Sequence, residues 1–496
     1  MEPPDSTTAF TSLPSELIHQ ILGYLPLSDL LSTGLVSRSL HEHSQQDSLY
    51  HCFVQENVPS RVLEKPPNSS WRELFKSHHP FWFIPRNKIW FSDHPHTGKL
   101  LVARYDHRID AIEAYSIVAE RKQPSVLAWD WNPEVIIHTF TPRIQLDLNV
   151  PVIRLDANAY QHAVGDQGYR LQKEIPMHLH GESPSSSTGL FSQLMLTRPW
   201  PKAITGASTP VWPPLSLPSS TRTRNDSASH FRDVQHRPSK LPEMSTDTFR
   251  LRRWMQFSPR LQSMGARMGE DITTWATLPE QYYRPTADKP WQGIWCGDYA
   301  GHGCEFLAIM QPDDPLPLPE RAEWVMRLRE RQGSVSSSDS WSTAPTNATS
   351  DDDADGDETM HESANGLETS VATLQAPDHE DSFHDPACVA DDERIYRGRI
   401  EAVKLTGDPN IPRGEYTFIA PDISNNGLVR IATEELFKGA RIVKSVGHIA
   451  ARGFRDDDYI QSQLILISHD RLAQYWETFG HVSFYQRVNV DDFVKV

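Results

Sequence analysis

The first 75 residues are patterned for helices. In Leu13-Pro-Ser-Glu-Leu-Ile-His-Gln-Ile-Leu-Gly-Tyr-Leu25, the residues Leu17, Ile21 and Leu25 fall at i, i+4 and i+8, with Ile18 and Leu22 beside them. That spacing predicts one broad apolar stripe on a helix. Pro14 suits its first turn and Pro26 ends it. Ser28 is placed to cap a second helix carrying Leu30 and Leu31, and a third begins at Val36-Ser-Arg-Ser-Leu40. Three short helices cannot enclose a large core, yet these carry more leucine and isoleucine than such a bundle hides. The excess needs a second surface, on the rest of this chain or on a partner.

From Pro80 to about Ile175 the pattern turns aromatic and β-branched, with runs such as Lys99-Leu-Leu-Val-Ala-Arg-Tyr105 and Val135-Ile-Ile-His-Thr-Phe140. After Trp291 it is dense. Gly293–Asp298 and Cys304–Met310 read as strands joined by a turn at Ala300-Gly-His-Gly303. Further strands are expected at Ile395–Val403, Glu415–Ile419, Arg441–Val446, Gln463–Ile467 and Val482–Tyr485. Arg471-Leu-Ala-Gln-Tyr-Trp476 reads as one short helix between the last two. Many short strands with turns between them point to a barrel or sandwich. Two polar stretches interrupt them: a Ser/Thr/Pro-rich one at 181–245 and an acidic one at 331–393. Low hydrophobicity predicts both to be disordered inserts.

Charge sharpens this picture. The 496 residues hold 48 Lys+Arg against 65 Asp+Glu, a net charge of -17. Acidity of that size disfavours nucleic-acid binding. Residues 351–393, however, contain 15 Asp+Glu and no Lys or Arg, so the remainder is close to neutral. The acidity belongs to one insert and says nothing about what the folded parts bind.

Four cysteines (Cys52, Cys296, Cys304 and Cys388) without a CxxC pair exclude a disulfide framework and a zinc site of the usual spacing. Cys296 lies in a strand pattern, where an inert buried thiol is the default. Met1–Phe10 lacks the basic-then-apolar order of a signal peptide, and no apolar run approaches the ~20 residues of a membrane span. The sequence therefore reads as a soluble intracellular protein of the cytoplasm, the nucleus or both. Histidine pairs at His78-His79, His94-x-His96 and His178-x-His180 stand without carboxylates or cysteines at ligand spacing. No G-x-S-x-G elbow, P-loop or H-E-x-x-H occurs. The expectation is a protein without catalysis, metal or cofactor.

The N-terminal pattern closely resembles the F-box: Leu13, Pro14, Glu16, Leu17, Ile21, Leu22, Leu25, then Asp29, Leu30, Leu31, and Val36, Ser37, Arg38. The resemblance implies docking on the Skp adaptor, and through it a cullin and a RING subunit of a ubiquitin ligase. Leu13, Pro14, Leu17, Ile21, Leu22, Leu25, Leu30, Leu31 and Val36 are the implied adaptor contacts, a helix-in-groove mode with leucine anchors.

Two further motifs lie after residue 290. Gly293, Trp295, Gly297, Tyr299, His302, Gly303 and Glu305 form one; Thr406, Gly407, Asp408, Pro409, Asn410, Pro412, Gly414, Thr417 and Phe418 form the other. Both resemble signatures of F-box proteins built like F-box-only protein 31, a receptor for D-type cyclins. That resemblance implies a β-barrel that captures a short degron such as a chain end. Tyr299, His302, Glu305, Asn410 and Thr417 are the substrate-binding candidates. The bland alternative makes the glycines and prolines turn formers, Trp295 and Phe418 core, and His302 and Glu305 structural hydrogen-bonding groups.

The expected architecture is α+β and multidomain: a three-helix F-box at 10–55, a helical linker at 56–80, and a mainly β barrel-like substrate domain in three parts. Those parts are 81–180, 246–330 and 394–496, separated by the inserts. The function read from this is the substrate-recognition subunit of a Skp–cullin–F-box ligase. The alternatives are an adaptor-bound scaffold outside the ligase and a barrel holding a small apolar ligand.

Overall fold

The computed structural model describes residues 10–59, 61–65, 69–92, 98–156, 159–160, 173–177, 189–196, 248–256, 268–277, 279–299, 303–334 and 394–495. Helices come first: α1 (Ser15–Leu22), α2 (Leu27–Thr33), α3 (Arg38–Ser44) and α4 (Asp47–Asn57). Pro14 and Pro26 each directly precede a helix, which fits a residue with φ already fixed near helical values and no N–H to lose. Ser28 is not a cap: α2 starts one residue earlier, and the Ser28 hydroxyl bonds Asp29. Ser37 does cap α3, accepting from the Leu40 amide. The third expected helix is followed by a fourth, because extended backbone at Gln46 breaks the run before Asp47.

Helix α5 (Trp71–His78) opens with a reciprocal capping box between Ser70 and Glu73. After the short helix α6 (Phe83–Arg86) come β1 (Ile89–Ser92), β2 (Leu100–Asp106), β3 (Ala111–Glu120), β4 (Val126–Ala128), β5 (Ile136–His138) and β6 (Arg143–Leu146). They are followed by β7 (Ile153–Leu155), β8 (Lys173–Met177), β9 (Gly189–Leu196), β10 (Thr248–Gln256) and β11 (Met268–Thr277). An antiparallel sheet runs in the order β6-β3-β2-β1-β11-β10-β9-β8, with β7 also paired to β3. Strand β9 falls within the expected 181–245 insert; the rest of that stretch lies outside the described residues.

The last part holds β12 (Gly293–Asp298), β13 (Cys304–Met310), α7 (Glu320–Ser334), β14 (Ile400–Lys404), β15 (Tyr416–Ala420) and β16 (Leu428–Ile431). It ends with β17 (Arg441–Ala451), β18 (Arg455–Ser468), β19 (Arg471–Trp476), β20 (His481–Val488) and α8 (Val490–Val494). Eight strands, β12-β13-β14-β15-β17-β18-β19-β20, close into an antiparallel barrel because β20 pairs back onto β12. Helix α7 carries the chain to 334; residues 335–393, most of the expected acidic insert, lie outside the described residues.

Residues 471–476 form a strand, not the expected helix. Leucine, alanine and glutamine favour helix in isolation, but here both edges are paired, to β18 and to β20. Tertiary pairing overrides a weak local preference.

Among the described residues, three of the four buried clusters build the layers of the molecule; the fourth lies between α7 and the barrel, at Ala322, Val325, Ile419, Val446 and Tyr459. Ile18, Leu22, Leu30, Leu49 and Val54 of the N-terminal helices join Trp71, Phe75, Trp82, Trp90, Leu101, Phe249 and Trp275 in one buried cluster. The other face of the same sheet (Ile89, Phe91, Leu100, Val102 and Ala276) packs on the barrel's outside at Ile294, Phe306, Ala308, Ile465 and Phe484. The barrel interior is the third, with Trp295, Leu307, Ile309, Phe418, Val443, Leu464 and Tyr485. A sheet covered on both faces explains why β1 is buried throughout rather than alternating. Among the described residues no helix is long and apolar enough to cross a membrane.

Candidate functional site

The N-terminal helices present two faces with different fates. Ile18 and Leu22 of α1 are 1% exposed, and Leu30 of α2 is fully buried. One residue before each, Leu17, Ile21 and neighbouring Tyr24 stand out at 46%, 43% and 82% exposure. Leu31, Leu35 and Val36 extend this outer surface at 53%, 86% and 73%. Pro14 is exposed; Leu13 and Leu25 are partly buried against the core. Of the nine expected adaptor contacts, Leu22 and Leu30 thus hold the fold together and offer no surface. Tyr24 and Leu35 belong to the outward face instead. The helical period contained this split, since a stripe wider than one core needs divides into an inner and an outer half.

The second site is one end of the barrel. The strand connections 405–415, 452–454 and 477–480 meet there, beside Tyr299 and Gly303 at the ends of β12 and β13. Gly453 donates its amide to the Pro409 carbonyl at 2.8 Å, and Asn410 Nδ2 donates to the Ala450 carbonyl at 2.9 Å, tying two of these connections together. Asp408 Oδ1 accepts the amides of Asn410 and Ile411, both at 2.6 Å. That is the turn chemistry of the Gly-Asp-Pro-Asn run.

Inside this end the lumen is polar. The Tyr299 hydroxyl bonds Thr417 Oγ1 at 2.8 Å, and Lys404 Nζ lies 4.3 Å from the centre of the Tyr299 ring. Lys404 is 1% exposed at its side chain and pairs with Glu305 at 2.8 Å and with Asp408. One ammonium serving two buried carboxylates cannot keep both ionised equally well. Burial pushes Glu305 up to about 8, more than Lys404 pulls it back. Burial also works against Asp408, but Lys404 and the Ile411 amide outweigh it and hold the group below its ordinary value. Asp408 is the charged partner of Lys404, and Glu305 retains its proton near neutral pH.

Deeper in the lumen, Gln474 Nε2 donates to Ser462 Oγ at 2.6 Å and to Ser445 Oγ at 3.2 Å, and the two serines bond each other at 2.9 Å. Trp476 Nε1 reaches Ser483 Oγ at 3.2 Å. Its ring lies over Gly447, where any Cβ would collide with it. Gly297 is required for the same reason: a Cβ there would sit 2.6 Å from the Tyr485 ring.

Of the substrate-binding candidates, Tyr299, Glu305 and Thr417 come together in this end. Asn410 sits on the rim with its amide nitrogen already bonded to backbone, and His302 lies outside the described residues. Lys404, Ser445, Ser462, Gln474 and Tyr485 were not singled out by the sequence. The available signal was a polar residue at an inward position of an otherwise apolar strand, as in Val443-Lys-Ser-Val446. Among the described residues no group of three or more His, Cys, Asp or Glu side chains is placed to hold a metal ion.

Comparison with known families agrees with both ends. Residues 10–56 match the F-box-like family, and residues 275–492 match the cyclin D1 binding domain. No curated protein matches the chain. The second match begins in β11 and ends in α8, so it contains the whole barrel and its polar end. Together the two matches cover more than half of the chain. With an F-box-like domain followed by a cyclin D1 binding domain, the chain belongs to the F-box proteins of the F-box-only protein 31 group.

Proposed function

We propose that this protein is the substrate-recognition subunit of a Skp–cullin–F-box ubiquitin ligase, catalysing nothing itself. The outer face made by Leu17, Ile21, Leu31, Leu35 and Val36 seats in the groove of the Skp adaptor, which links to the cullin and RING subunits. The polar barrel end takes a degron, with Tyr299, Thr417 and Asn410 offering hydroxyl and amide partners and His302 a further candidate from the sequence motif. Such a mouth suits an extended peptide or chain end, whose backbone groups seek hydrogen bonds within aromatic walls. Ubiquitin transfer then follows from proximity, as a held substrate keeps its lysines near the loaded enzyme.

The observation that carries this reading is the exposed apolar face on the F-box-like helices, too large to leave in water without a partner. Co-purification of the full chain with the Skp adaptor and cullin tests it. Leu17→Asp with Leu31→Asp is expected to abolish adaptor retention while the barrel stays folded. Retention of the adaptor by that variant, or adaptor binding with no cullin recruited, overturns the ligase reading. The second outcome leaves a scaffold outside the ligase.

A further inference from the structure

Two thiols meet on the outside of the barrel, and Asp298, the cross-strand partner of Cys304, lines an open cavity. In the β12–β13 ladder Cys296 lies opposite Phe306 and Cys304 opposite Asp298, so the cysteines are diagonal neighbours on one face. Both pack into the layer between barrel and sheet, Cys296 fully buried and Cys304 partly. The neighbouring Cys296 thiol, with help from the Arg121 guanidinium, holds Cys304 below its ordinary value against burial and Asp298. The Cys304 sulfur and burial together push Cys296 far up. Arg121 is ion-paired to Asp298 at 3.1 Å, and both line a cavity of about 580 Å³ that also carries His138 and His481.

The sequence alone made Cys296 an inert core residue. Its neighbour changes that, since a partly exposed thiol beside a cation and a second sulfur is the usual setting for oxidation. We propose that Cys304 and Cys296 form a thiol oxidation site whose co-reactant is a peroxide entering through this cavity.

The Cys304 thiolate attacks a peroxide oxygen and the O–O bond breaks. For hydrogen peroxide the leaving hydroxide takes a proton and departs as water, leaving Cys304 as a sulfenic acid. Cys296 Sγ then attacks the Cys304 sulfur, and the S–O bond breaks. The second water carries away the Cys296 proton as the Sγ–Sγ bond forms. Two thiols lose two electrons, and one peroxide becomes two waters. Diagonal cross-strand neighbours stand ~7–8 Å apart between Cα atoms, beyond the usual disulfide span, so closing the bond requires the backbone of β12 and β13 to shift. A bond of this kind stays reducible, as regulatory disulfides are.

The full-length reduced chain is treated with graded hydrogen peroxide, quenched, alkylated in denaturant and analysed by mass spectrometry. Cys296 and Cys304 are expected to lose alkylation together, about tenfold faster than exposed Cys52. They should appear in a peptide lighter by two hydrogens and recover with dithiothreitol. In C296S, Cys304 should stop at a dimedone-reactive sulfenic acid; in C304S, Cys296 should stay reduced at the same doses. Preferential oxidation of Cys52, or loss of the Cys304 thiol without the cross-link in the unmodified chain, overturns the proposal. None of these readouts depends on adaptor or degron binding.

Discussion

Tyr299 and Thr417 stand 118 residues apart in the chain, yet their hydroxyls meet at 2.8 Å across the polar end of the barrel. This bond joins the two sequence motifs that mark the domain, one at the end of β12 and the other at the start of β15. Tyr299→Phe removes one partner and leaves the Thr417 hydroxyl without it. The expected cost is about 1–2 kcal/mol. Thr417→Val should cost a similar amount, and the double substitution less than the sum. Urea unfolding of the four proteins, read as a double-mutant cycle, measures the coupling.

Lys404 pairs with both Glu305 and Asp408 at this end. Lys404→Met strands two carboxyl groups in a dry lumen, and the loss is expected at about 3–5 kcal/mol. Asp408→Asn, which also weakens the turn at Asn410 and Ile411, should be less damaging than Lys404→Met. Thermal denaturation at neutral pH ranks the two.

Glu305 gives the fold a pH dependence of definite sign. Its carboxyl titrates near 8 in the folded protein, above the ordinary glutamate range. Between roughly pH 4.5 and 8 the native state therefore holds more protons than the unfolded one, so stability falls as pH rises. The Glu305 contribution is most favourable at the acid end of that window and is lost through pH 8. Glu305→Gln should flatten this slope. A urea midpoint for the variant that moves with pH as steeply as the parent's between pH 5 and 8 would exclude Glu305 as its source.

The inner and outer faces of the first two helices should separate in mutagenesis. Leu17→Ala with Leu31→Ala touches exposed side chains and is expected to change stability by no more than about 0.5 kcal/mol per site. Leu22→Ala empties a core position and should cost roughly 2–5 kcal/mol. Circular dichroism melts compared with adaptor pull-downs distinguish a lost surface from a lost fold.

Gly447 has a different reason to be irreplaceable. Gly447→Ala pushes a methyl into the Trp476 ring, and overpacking of that kind costs about 1–3 kcal/mol. Near-ultraviolet circular dichroism should report the displaced indole. An unchanged tryptophan signal would mean the ring has room that the geometry denies.

Strands that carried their own punctuation were readable in advance. Gly293–Asp298 and Cys304–Met310 fall where the glycines and the apolar runs place them. Strand β19 was not, because Arg471–Trp476 owes its shape to two neighbours distant in sequence. The division of Leu17 from Ile18 was half legible: periodicity shows a wide stripe but not which edge meets the sheet. Lys404 was hidden because its position within Ile400–Lys404 becomes interior only once the barrel closes. Local pattern finds elements, while closure and stacking decide which side chains become chemistry.

The sheet buried on both faces makes the molecule a ruler. Trp90 looks toward the helices and Phe91 toward the barrel, so no slack linker separates the exposed apolar face of the N-terminal helices from the polar end of the barrel. Under the proposed function, a bound protein would be presented at a fixed height and angle, and only lysines lying within a narrow shell around its degron would come within reach of the ubiquitin-loaded enzyme. On this view selection acts twice, first on the peptide that enters the barrel and then on the geometry of the protein hanging from it.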